Sequence, residues 1–137
     1  TLSRIVHSWV LSRSKRELSW HLFCDALESD VSDIQGGTTH EGIHLGAMAG
    51  TVDLIQRCYA GLETRGNVLW FNPYLPPKLK QVQFNIRYRG HWISVKVTSD
   101  LLRICSRPQD IPPIKIGFVD KVFDLKAGDW MEFKLDD

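Results

Sequence analysis

The spacing of apolar residues changes near Gly66, from the 3.6-residue period of a helix to the two-residue period of a strand, and this switch limits the fold more than any other feature. Before it, Leu2, Ile5, Val6, Trp9 and Val10 share one helical face. Ser14-Lys15-Arg16-Glu17 reads as a capping box, Arg13 to Lys15 as the turn before it, and Trp20, Phe23, Cys24, Leu27 and Val31 as the stripe of a second helix. After the break at Gly36-Gly37, the residues Ile43, Ala47, Met48, Val52, Ile55 and Tyr59 mark a third helix ending near Gly61. Beyond Gly66, Val82, Phe84, Ile86 and Tyr88 alternate with polar residues, Arg89-Gly90 makes a turn, and Ile93, Val95 and Val97 alternate again, which is a β-hairpin. Shorter strands are expected at 68–71, 101–104, 114–118, 122–125 and 130–135. The expectation is an α+β chain: a helical segment over residues 1–65, then a small antiparallel β-sandwich over residues 66–137.

Both segments have the material for a packed interior, because 43% of the residues are hydrophobic and five are tryptophan. A net charge of +1 supplies no field for nucleic acid or an anionic membrane surface, and both are set aside as partners. Cys24, Cys58 and Cys105 are odd in number and far apart, which implies no disulfide framework and points to a reduced, cytoplasmic setting. No apolar run reaches the roughly 18 residues of a membrane span. The chain opens on Thr1 inside an amphipathic pattern, as though cut from something longer.

The string HEGIH, residues 40–44, spells the H-E-x-x-H signature in which two histidines on one helical turn hold zinc and the glutamate acts as base. Glu63 could be offered as a third ligand. Against a zinc protease stands the local pattern Thr38-Thr39-His40-Glu41, itself a capping box with Thr38 as N-cap and Glu41 reaching back to it. Gly42, Gly46 and Gly50 follow at every fourth position, each costing about 1 kcal/mol of helix propensity relative to alanine. They make sense as a flat face that a neighbouring helix approaches closely. A Gly-Gly-Thr-Thr loop entering a helix also offers unpaired N–H groups, two hydroxyls and the positive end of the helix dipole, a set suited to an anion. His44, one turn inside such a helix, could donate to a bound oxyanion. The plainer alternative is a capped helix with His44 hydrogen-bonded in the core.

Taken as long words, "GGTTHEGIHLGAMAGT", "LWFNPYLP" and "FNIRYRGHWISVKV" resemble the C-terminal part of glycoside hydrolase family 65, over about Ser3 to Ile104. In that family's pattern the place of His40 is variable. The resemblance implies the last helices of an (α/α)6 barrel followed by a jelly-roll-like sandwich. It also implies phosphorolysis, or in some members hydrolysis, of α-linked glucose disaccharides such as trehalose, maltose and kojibiose. Inorganic phosphate would be a co-substrate, and no other cofactor or metal is implied. Carried over by position, the phosphate site comprises Gly37, Thr38, Thr39 and His44, with Ser3 from a clipped N-terminal motif. Glu41 is the alternative, as a water-activating base in a hydrolase.

The family's general acid lies upstream, in a region this chain does not match, so no catalytic acid is assigned and the chain is expected to be inactive alone. Asp25, Asp30 and Asp33 read as solvated or capping groups, and Trp70, Trp92 and Trp130 as packing residues on strands. Three helices cannot close a six-pair barrel. The stripe Leu2-Ile5-Trp9 should therefore be covered by a second copy in a homo-oligomer, or leave an apolar patch. A non-enzymatic remnant that dimerises or binds carbohydrate is the other reading.

Overall fold

The computed structural model describes residues 2–33, 40 and 42–136. The chain forms two compact units, Thr1–Tyr59 and Ala60–Asp137. In the first, α1 (Leu2–Leu11) turns back into α2 (Arg16–Glu28), and α3 (Leu45–Leu54) runs directly into a π-helical segment, Ile55–Tyr59. Among the described residues, no helix is long and apolar enough to cross a membrane.

Two helix starts differ from expectation. The N-cap of α2 is Lys15, with no side-chain cap bond, so the Ser14–Glu17 capping box does not form. The third helix begins at Leu45, because Gly42 sits at φ +114° and His44 at φ −82°, ψ 84°, conformations a helix does not contain. The proposed Thr38–Glu41 cap lies outside the described residues.

The expected apolar stripes are split between core and surface. Ile5 is buried on α1 and Phe23 on α2, while Leu2, Val6, Trp9, Val10, Leu27 and Val31 are exposed. Small residues take the remaining core positions: Ser8 on α1, Ser12 just after it, and Ser19 and Ala26 on α2. The glycine row partly performs its expected task. A Cβ on Gly50 would lie 2.7 Å from Ile5 Cγ2, and one on Gly46 would lie 3.9 Å from Leu2 Cδ1, so α1 side chains rest directly on the α3 backbone. Trp20, Phe23 and Tyr59 complete the core, with ring centroids 5.5 to 6.3 Å apart. Burial pushes the Tyr59 phenol up to about 12; the neighbouring Ser19 and Ser8 hydroxyls oppose this only in part, and neither meets full hydrogen-bond geometry with it.

The second unit is two four-stranded sheets. One has the order β1 (Glu63–Arg65), β2 (Val68–Phe71), β6 (Ile114–Phe118), β7 (Lys121–Leu125); the other has β3 (Gln81–Tyr88), β4 (His91–Thr98), β5 (Leu101–Ser106), β8 (Trp130–Lys134). The hairpin turn is as expected, with Arg89 at φ 48° and Gly90 at φ 88°, the pair of positive values that matches strand twist. Two details were not anticipated. Strand β1 exists, so the second unit begins before residue 66, and β2 pairs with β6 in parallel, making that sheet mixed.

Inward residues of both sheets make one core, including Leu69, Phe71, Ile116 and Leu125 from the first and Ile93, Val95, Leu102 and Ile104 from the second. His91 is fully buried and satisfied at both nitrogens. Nε2 donates to the Pro112 carbonyl at 2.9 Å, so Nδ1 accepts from the Ser106 hydroxyl at 2.7 Å. Of the three strand tryptophans, Trp130 is 61% exposed and Trp92 38%, so both face outward rather than into the core.

Candidate functional site

Within the helical unit, three element ends converge. Leu2 in the first turn of α1 lies over Gly46 in the first turn of α3, and Asp30, just past the end of α2, reaches His44, the N-cap of α3. The chain turns at His44 because its carbonyl accepts the first helical bonds, from Ala47 N–H at 2.9 Å and Met48 N–H at 3.1 Å, while its own side chain caps nothing within the helix.

The partner of His44 is instead the Asp30 carboxylate. The His44 backbone N–H donates to one carboxylate oxygen at 2.7 Å, and ring Nδ1 lies 2.5 Å from the other. The Asp30 side chain is 4% exposed and that of His44 37%. The hydrogen bond from the His44 ring, followed by the one from its backbone N–H, holds the Asp30 carboxyl below the ordinary aspartate range; burial pushes the other way and is outweighed. An ionised carboxylate only accepts, so Nδ1 carries a proton and Nε2 is the nitrogen available to a ligand.

Of the residues assigned to an anion site from sequence, His44 and Ser3 are described. His44 stands at the helix start and not one turn inside it, and Ser3 is exposed in the first turn of α1. Gly37, Thr38, Thr39 and Glu41 lie outside the described residues. Asp30 was missed as a site residue, since nothing in its spacing separates it from Asp25, which is exposed on α2.

The same geometry bears on HEGIH. A zinc-protease helix needs both histidines on consecutive turns, and the non-helical stretch 42–44 interrupts any helix between His40 and His44. Nδ1 of His44 is engaged by Asp30, and among the described residues no cluster of three or more His, Cys, Asp or Glu side chains could hold a metal ion.

Residues 1–53 match the glycosyl hydrolase family 65 central catalytic domain, and residues 62–125 match the glycosyl hydrolase family 65 C-terminal domain. An uncharacterized glycosyl hydrolase of Mycobacterium tuberculosis is 42% identical over 132 residues, covering 96% of this chain and 10% of that protein. The trehalose 6-phosphate phosphorylase of Lactococcus lactis is 35% identical over 114 residues, covering 80% of this chain and 14% of that protein. Among solved structures, one named "Putative kojibiose phosphorylase from human microbiome" superposes with a TM-score of 0.82 over 96% of this chain and 17% of that one, at 24% identity, which establishes a shared fold. The chain thus spans between about a tenth and a seventh of the length of these curated relatives.

Proposed function

The chain belongs to glycoside hydrolase family 65, and from that premise we propose that it is the part of a disaccharide phosphorylase that holds inorganic phosphate. The substrate class is an α-linked glucose disaccharide such as trehalose, maltose or kojibiose, and the setting cytoplasmic. The observation that carries this reading is His44, fixed by Asp30 at the start of α3 with Nε2 left for a ligand. By the family resemblance, Gly37, Thr38 and Thr39 would supply amides and hydroxyls to the same anion, and Ser3 a further hydroxyl. Phosphate is here a co-substrate, and neither cofactor nor metal is assigned.

The chemistry asks little more of this segment. A phosphate oxygen forms a bond to the anomeric carbon as the glycosidic C–O bond breaks, and a carboxylic acid outside this chain protonates the departing oxygen. Phosphate arrives as an anion and needs positioning rather than a base. Were water the acceptor, Glu41 would be the activating base. With the acid elsewhere, the segment alone turns over no disaccharide.

Calorimetric titration of the chain with phosphate tests the assignment. Weak binding that His44→Ala abolishes is expected; binding unchanged by that substitution removes His44 from the site. The exposed stripe Leu2, Val6 and Trp9 favours a second reading, a non-enzymatic protein that self-associates through α1 or binds carbohydrate on its sandwich. Elution as a monomer in gel filtration at high concentration would count against self-association.

A further inference from the structure

We propose that Asp30 is a positioning residue that keeps a proton on Nδ1 of His44, so that Nε2 meets bound phosphate through one shared proton and the site favours phosphate over sulfate. The proposal rests on His44 being the phosphate-facing side chain.

Both carboxylate oxygens of Asp30 are used by one residue, His44, through its backbone N–H at 2.7 Å and its ring Nδ1 at 2.5 Å. Two points of attachment fix the rotation of the ring as well as its tautomer. With 4% of the Asp30 side chain exposed, water competes little for those oxygens. The neutral ring then carries its proton on Nδ1 and a lone pair on Nε2. An anion approaching Nε2 must bring a hydrogen, or find the ring already doubly protonated. Hydrogen phosphate keeps a hydroxyl that can donate to Nε2, whereas sulfate has none and meets the lone pair with its own. Once the ring is protonated, Nε2–H serves either anion.

Among the described residues the ion-pair partner of Asp30 is His44. Asp30 faces the ring from the end of α2. On α3 the first charged side chain is Asp53, more than two turns on and paired with Arg57 at 2.9 Å. From α1, the basic residues Arg4 and His7 make no ion pair with the Asp30 carboxylate, whose partner is His44. The tautomer follows from the Asp30 contact at Nδ1, since a carboxylate can only accept there.

Asp30→Asn makes a sharp test. Its amide oxygen can still accept the His44 backbone N–H while its NH2 donates to Nδ1, which moves the ring proton to Nε2 without removing the clamp. The experiment is ring 15N NMR on the chain at about pH 8, with sodium phosphate and sodium sulfate as separate titrants, on wild type, Asp30→Asn and His44→Ala. Expected for wild type are the Nδ1–H form and sulfate binding about tenfold or more weaker than phosphate, with the gap closing on acidification. For Asp30→Asn the expectation is the Nε2–H form and sulfate about equal to phosphate.

An Nε2–H tautomer in the wild type overturns the proposal, whether or not the variant folds. So does equal binding of the two anions by a wild type whose phosphate binding is lost in His44→Ala, and this outcome leaves the phosphate site itself standing. Wild type that ignores phosphate, or His44→Ala that binds it normally, removes the underlying reading and the proposal with it.

Discussion

Ser8 and Ser19 each donate a side-chain hydroxyl to the other's backbone carbonyl, both at 2.7 Å, with the two hydroxyl oxygens 3.1 Å apart. This reciprocal pair sits in the buried contact between α1 and α2, where a sequence reading places apolar residues. Small hydroxyls let the helices approach closely while satisfying each other's polar atoms. Replacing either serine by alanine should cost about 1 kcal/mol in urea unfolding, and replacing both should cost less than the sum, because the contact between the two hydroxyls is already lost in either single variant. Strict additivity would show the pair to be uncoupled.

Gly50 carries Ile5 almost on its backbone, so Gly50→Ala sets two effects against each other. Alanine gains about 1 kcal/mol of helix propensity. The added methyl would lie 2.7 Å from Cγ2 of a buried β-branched residue that cannot swing away, an overpacking cost of about 1–3 kcal/mol. The net expectation is destabilisation in the wild type and stabilisation in an Ile5→Ala background, read from thermal unfolding of the two pairs. Stabilisation in both would mean that α1 and α3 do not pack as described.

In the second unit, Trp70 lies across Gly117, its partner in the parallel β2–β6 pair, and a Cβ there would lie 2.2 Å from the indole ring. Arg65 covers the same ring at 4.3 Å. Gly117→Ala should displace the indole, destabilise the sandwich by about 1–3 kcal/mol and shift tryptophan fluorescence. A silent substitution would refute the parallel pairing.

The depressed Asp30 carboxyl links the α2–α3 contact to pH. Its folded value lies below the unfolded one, so the stabilisation is fully present above the ordinary aspartate value of about 3.9 and is lost as pH falls through the folded value. Acid unfolding followed by circular dichroism should show wild type losing more stability than Asp30→Asn below about pH 4, with the two curves parallel from about pH 5 upward. Identical curves throughout would show that Asp30 is not held as the anion.

Most of the β unit is legible in the sequence because alternation records burial directly. Val82, Ile93, Val95 and Val97 point inward as their spacing implies. Strand β1, Glu63-Thr64-Arg65, escapes because it has no apolar residue, and the β2–β6 pairing because parallel partners far apart in the chain leave no local signal. The helices are harder. Exposed Val6, Trp9, Leu27 and Val31 look the same in sequence as buried residues, and the true interface uses Ser8 and Ser19, which periodicity does not score. The start of α3 is hidden because the sequence pattern from Thr38 to Glu41 reads as a helix cap, whereas Gly42 has positive φ and α3 begins at Leu45. Asp30 became visible only once the fold set it against His44, fourteen positions along the chain.

Crystals of the chain soaked separately in inorganic phosphate and in a zinc salt offer the most direct test. The site described above predicts phosphate within hydrogen-bond reach of His44 Nε2, with Nδ1 still on Asp30. A zinc ion ligated by both His40 and His44, or phosphate bound only away from α3, would contradict it.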